Sequence, residues 1–142
     1  MGYTTEFTGV VNLGRRLTMA EAKELLEIAE GGRDSKFVTG IDAYFQWVPT
    51  QTLDGIVWDG NEKFYHYTEQ LKWLCGDWLE QRGVEANGMF YWQGEETGDT
   101  GTISVMKNVV IATAAPKPDT KSPKPLTLRG LQEMALEQAV AT

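Results

Sequence analysis

The chain has 142 residues, with 20 acidic and 13 basic side chains, one His, one Cys and a net charge of −7. That length suits one domain with a short appendage, and 42% hydrophobic residues suit a packed core rather than disorder. The acidity gives no general attraction to a phosphate backbone, one Cys excludes an internal disulfide, and no apolar run approaches the roughly 18 residues of a membrane span.

The first residues, Met1 to Glu6, lack a charged-then-apolar leader pattern, and a cytoplasmic protein is expected. Alternation of Tyr3, Thr5, Phe7, Gly9 and Val11 predicts a strand over 3–11. Thr18 and Glu21 form a capping-box pattern ahead of Ala22, Leu25, Leu26 and Ala29. A helix is expected over 19–30, closed by a left-handed glycine at Gly31-Gly32. The runs 43–49 and 55–59, separated by Asp54-Gly55, predict a hairpin with a longer loop, with Pro49 at a strand end.

Phe64, Tyr67, Leu71, Leu74 and Trp78 recur at helical steps and predict a helix over 61–82, capped by Asn61 and stopped by Gly83. Gly76 inside it suggests a close packing neighbour. Strands are expected at 84–93 and 102–111, joined by the turn-forming loop from Gly94 to Gly101.

Residues 1–114 carry 17 acids and 9 bases, and residues 115–142 carry 3 acids and 4 bases. Pro116, Pro118, Pro123 and Pro125 alternate with lysines, so 115–125 reads as a semi-rigid linker between a core at 1–114 and a helical tail at 126–142. Thr127 caps the tail helix, and Leu128, Leu131, Met134 and Ala135 lie on one side. A helix of about 14 residues is marginal alone in water. The tail is therefore expected to stay off the core and act as a tethered second contact.

The fold class that follows is α+β. About five strands form an antiparallel sheet with two helices on one face, in the β-α-β-β-α-β order of a ferredoxin-like unit plus an extra strand.

Chemical motifs are sparse. His66 has Glu62 and Glu69 at helical spacing but no nucleophile motif beside it. Cys75 lies near a helix C-terminus, where the dipole opposes a thiolate. Two acidic groups, Asp54-Asp59-Glu62 and Glu95-Glu96-Asp99, lack the ligand periodicity of a calcium loop. No metal, cofactor or catalytic residue is assigned.

Fifteen aromatic residues are more informative. Most must be core, but Tyr65 and Trp73 fall off the helical stripe, and Tyr91 and Trp92 cannot both point inward. An aromatic-rimmed acidic surface suits a protein-binding face, a second packing face or a sugar-stacking platform.

The segments Met1-Gly2-Tyr3-Thr4-Thr5-Glu6-Phe7, Gln46-Trp47-Val48-Pro49-Thr50, Trp58-Asp59-Gly60 with Glu62-Lys63-Phe64-Tyr65, and Asn87-Gly88 with Trp92-Gln93-Gly94-Glu95 resemble a family of small uncharacterised proteins of bacteriophage and bacterial genomes. The resemblance covers about 1–111. The chain is shorter than fuller members between Gly31 and Tyr44, and its tail from 115 onward is its own. The resemblance implies no catalytic residues. Its phage association implies an inhibitor or adaptor docked on a host machine.

The expected function is a non-enzymatic, acidic protein-binding module. It is read as a phage-type inhibitor or modulator of a host nucleic-acid machine, RNA polymerase or a CRISPR or defence nuclease. The partner is a host protein with a basic surface, with no direct nucleic-acid or membrane contact. Candidate partner-binding residues are Glu95, Glu96, Asp99, Tyr65, Trp73, Leu128, Leu131 and Met134. The alternatives are a small hydrolase using Asp59 and Glu62 with His66, and a carbohydrate-binding or virion structural module.

Overall fold

The computed structural model describes residues 5–31, 35–41, 44–61, 66–96, 98–113 and 124–141, with side chains up to residue 137. It is an α+β protein. Among the described residues, six antiparallel strands, in the spatial order β2-β3-β1-β4-β5-β6, carry four helices. The sheet has one strand more than expected, and α2 (Lys36–Thr39) and α4 (Leu128–Ala141) join the two expected core helices.

β1 (Glu6–Leu13) pairs with β3 (Gly55–Trp58) on one side and β4 (Ala86–Gln93) on the other. Gly9 in β1 has φ +103°, and a Cβ there would meet the Met89 carbonyl. Only glycine lets these two central strands approach so closely.

α1 (Met19–Glu30) opens with the expected capping box. The Glu21 amide donates to Thr18 Oγ1 at 3.1 Å, and the Thr18 amide donates to the Glu21 carboxylate at 2.9 Å. At its end Gly31 is right-handed, with its N–H donating back to the carbonyls of Glu27 and Ile28, and Gly32, the other glycine of the expected stop, lies outside the described residues. The Glu27 and Ile28 carbonyls are thus satisfied without a left-handed residue at Gly31.

β2 (Trp47–Pro49) and β3 form the expected hairpin, with Trp47 opposite Trp58 and Pro49 opposite Ile56. Pro49 sits on an edge strand, where its missing donor costs little.

The second long helix starts later than its apolar stripe predicts. Asn61 does not cap it; its amide and side-chain nitrogens donate to the Asp59 carboxylate at 2.9 and 3.0 Å. That local turn competes with helix initiation. Residues 62–65, including Phe64 and Tyr65, lie outside the described residues. α3 (Tyr67–Trp73) follows His66, which takes a left-handed conformation, and runs into a π-helical stretch, Leu74–Leu79. Gly76 has open space around its Cα, so no close neighbour explains it. Gly83 terminates the run as expected, with φ +67°. Its N–H bonds the Glu80 carbonyl, and the Val84 N–H bonds the Leu79 carbonyl, a Schellman motif sealed by buried Val84 and Leu79.

The segment expected as one strand over 102–111 is two. β5 (Thr100–Met106) turns through Lys107 and Asn108, both at positive φ, into β6 (Val109–Thr113). Two left-handed residues give the right twist for a two-residue hairpin. Asn108 pays the conformational cost with its side chain. Its Oδ1 accepts from the Ala86 amide, and its Nδ2 donates to the carbonyls of Cys75 and Val84.

Strand alternation sorts the aromatics. Phe7, Trp47, Trp58, Phe90 and Trp92 face one side. Phe7 makes edge contacts with Trp47, Trp58 and Tyr67 at 4.9–5.6 Å, and Trp47 stacks on Phe90 at 4.4 Å. Trp92 lies over Gly101, where any Cβ would strike its ring. Leu71, Leu74 and Trp78 are buried with them, as the helical stripe predicts, and so is Leu79, which the stripe does not include.

The tail does not stay off the core. The Leu126 amide donates to the Pro49 carbonyl at 2.8 Å, and Pro125 bridges to Thr50 beside β2. α4 then lies along α1, with Leu126 2% and Leu131 6% exposed. The expected Thr127 cap is present, its hydroxyl accepting from the Gly130 amide at 3.0 Å. Burying two leucines is worth about 3–6 kcal/mol, enough to hold a helix that is marginal alone. Linker residues 114–123 lie outside the described residues.

Candidate functional site

The hydrolase candidates do not form a catalytic cluster among the described residues. His66 is exposed, and its Nδ1 lies 3.0 Å from Glu69 on the same helix turn. Asp59 is bound by Asn61, and its carboxyl is pushed above the usual range by burial, against the pull of those hydrogen bonds. It lines a groove of about 490 Å³ with Leu26, Val48, Asn61 and Leu126. Glu62 lies outside the described residues. Cys75 is buried, and burial pushes its thiol up to about 12, so no thiolate forms near neutrality. Among the described residues, no group of three His, Cys, Asp or Glu side chains is placed to hold a metal ion. Nor is any helix there long and apolar enough to cross a membrane.

The partner-binding candidates fall in three places. Glu95, Glu96 and Asp99 sit on the β4–β5 loop. Its turn is fixed by the Gly94 amide on the Asp99 carbonyl and the Asp99 amide on the Glu96 carbonyl. Glu95 and Glu96 are exposed, and Asp99 is half-buried; burial chiefly, and the Asp99 charge second, oppose ionisation of the Tyr67 hydroxyl. Trp73 is half-buried with its ring edge against Phe45 at 5.6 Å, so it belongs largely to the core. Leu128, Leu131 and Met134 lie against α1 and the core rather than free for a partner. Leu128 and Leu131, with Met19, Ala20 and Lys23, wall an apolar cavity of about 300 Å³. Tyr65 lies outside the described residues.

A surface that the sequence reading missed lies on the sheet face turned away from the aromatic core. The register places Val10, Met89, Ser104 and Ile111 in one row across β1, β4, β5 and β6. Thr8, Tyr91, Thr102 and Thr113 form the next row. Met106 and Val109 form a pair at the hairpin end. Met106 is 70% exposed, Val109 59%, Ile111 57% and Met89 37%. Glu6, at the start of β1, is the one charged residue among the outward positions of these four strands.

The acidic β4–β5 loop adjoins this face at the end where Glu6 pairs with Gln93. The missed signal is the Lys107-Asn108 turn. Reading 102–111 as one strand gives Met106, Val109 and Ile111 no common face, whereas folding back at Asn108 gathers them.

Comparison with protein-family models, with curated proteins and with solved structures finds no match to this chain.

Proposed function

We propose that the protein is a non-enzymatic protein-binding module whose docking surface is the outer face of β4, β5 and β6, framed by the acidic β4–β5 loop. The reading extends to a cytoplasmic, phage-type inhibitor or modulator of a host nucleic-acid machine, engaging a basic protein surface rather than nucleic acid. It includes a ferredoxin-like arrangement with α1 and α3 on one face. The Trp78 and Arg82 bonds to Glu24, which tie the end of the π segment to α1, support that arrangement.

One observation carries the proposal. A chain with 33 charged side chains exposes Met89, Met106, Val109 and Ile111 together on strand positions almost free of charge. Exposed apolar surface rimmed by polar residues is what partner-binding faces use. The net charge of −7 steers a basic protein toward it. The hydrolase alternative has less support: Glu69 can orient His66, but the Asp59 carboxylate is held by Asn61 and the Cys75 thiol is buried.

Affinity purification from bacterial lysate tests the proposal by comparing the wild-type chain with Met89→Asp/Met106→Asp. A basic protein retained by the wild type and lost with the variant, at unchanged melting temperature, supports it. Retention of the same proteins by both chains overturns it.

A further inference from the structure

The end of α1, the β2–β3 hairpin and the start of α4 enclose the groove of about 490 Å³, within the roughly 300–1,000 Å³ of small-molecule sites. Its apolar walls include Leu26, Ala29, Val48 and Leu126. Leu126 reaches it because the tail is docked, with the Leu126 amide on the Pro49 carbonyl at 2.8 Å. The charged residues that line it are both acidic, half-buried Asp59 and exposed Glu30.

Asp59 is held from two sides. Its amide donates to the Gln46 carbonyl at 3.0 Å, and Asn61 donates to both carboxylate oxygens. Those donors are neutral, and two hydrogen bonds leave part of the acceptor capacity of a carboxylate unused. Among the described residues, no Lys, Arg or His pairs with Asp59 or Glu30. Burial therefore works against the Asp59 charge, and a cation in the groove relieves it.

We propose that this groove binds a small alkylammonium compound, with the ammonium on Asp59 and the alkyl chain along Leu26, Val48 and Leu126. Charge complementarity selects the head. An anion would meet two carboxylates and no base, and a neutral alcohol would leave the Asp59 charge without a counter-ion. A net charge of −7 also draws small cations toward the molecule. The apolar walls select the chain, since an inorganic cation buries none of their surface. The groove lies at the β2 edge of the sheet, and the outer face runs to β6 at the opposite edge, so the site is independent of docking on Met89 and Met106.

Titration of the full chain with n-hexylammonium at pH 7, beside hexanol and hexanoate, tests the site by calorimetry and methyl spectra. The amine is charged at that pH, as a lysine side chain is. Hexylammonium is expected to bind saturably and about tenfold or more tighter than hexanol or hexanoate. The Val48 and Leu126 methyl signals are expected to move while those of Met89 and Met106 stay in place. Asp59→Asn removes the charge and keeps an acceptor for the Asn61 amide, and Ala29→Leu fills the groove from α1. Each is expected to weaken binding about tenfold or more at unchanged melting temperature. The comparison of the three compounds on the wild-type chain depends on no variant folding. Absence of saturable hexylammonium binding, hexanol bound as tightly, a folded Asp59→Asn chain with unchanged affinity, or shifts confined to Met89 and Met106 overturns the proposal.

Discussion

Asn108 concentrates more structure than any other single side chain in the outer hairpin. It takes a left-handed conformation that favours Gly and Asn, and its amide group closes three backbone contacts between β4, the π segment and the turn. Asn108→Ala leaves buried backbone groups without partners and keeps a strained φ, so it should cost about 2–4 kcal/mol in a denaturant titration. Asn108→Gly loses the same side-chain bonds but relieves the strain, so it should cost about 1 kcal/mol less than Asn108→Ala. Equal losses would mean that the conformation contributes nothing.

None of this was legible in the sequence, because a lone Lys-Asn pair is a weak turn signal beside Asn-Gly. The Thr18–Glu21 box was legible, since capping needs only residues three apart. Arg15, which adds a bidentate contact to Glu21 at 2.8 and 3.0 Å and helps hold its carboxyl down at about 2, was not.

Among the elements, α4 separates local from tertiary reasoning most clearly. Its cap and apolar side follow from sequence, as do α1, the β2–β3 hairpin and the helical stripe that buries Leu71 and Leu74. Its resting place does not. Four prolines and a charge change argue for a free tether, yet the segment re-enters beside Thr50 and buries Leu126 and Leu131. Which helix covers which surface depends on residues about 100 positions apart in sequence, and no local pattern encodes it. Truncation after Ala114 is therefore expected to lower stability by about 3–6 kcal/mol, read as a fall in melting temperature. An unchanged melting temperature would mean that α4 is not part of the cooperative unit. The late start of α3 has a similar origin, since Asn61 binds Asp59 instead of capping the helix.

At the scale of the whole molecule, the two faces of the sheet carry different properties. One gathers Phe7, Trp47, Phe90 and Trp92 into a dense aromatic core, and the other leaves Met89, Met106 and Ile111 in water. Acidity is common to the molecule as a whole and gives reach, because a basic partner is attracted over about 10 Å at ordinary salt. The nearly uncharged outer face gives the contact itself.

The methionine methyl groups report both regions at once. Met89 and Met106 lie on the outer face, and Met19 and Met134 lie where α1 meets α4. Methyl spectra of the methionine-labelled chain, at fixed protein concentration, with and without the basic protein captured from lysate, test the docking surface most directly. Docking on the outer face predicts that the Met89 and Met106 signals shift or broaden while those of Met19 and Met134 stay in place. Shifts at Met19 and Met134 with Met89 and Met106 unmoved would contradict it.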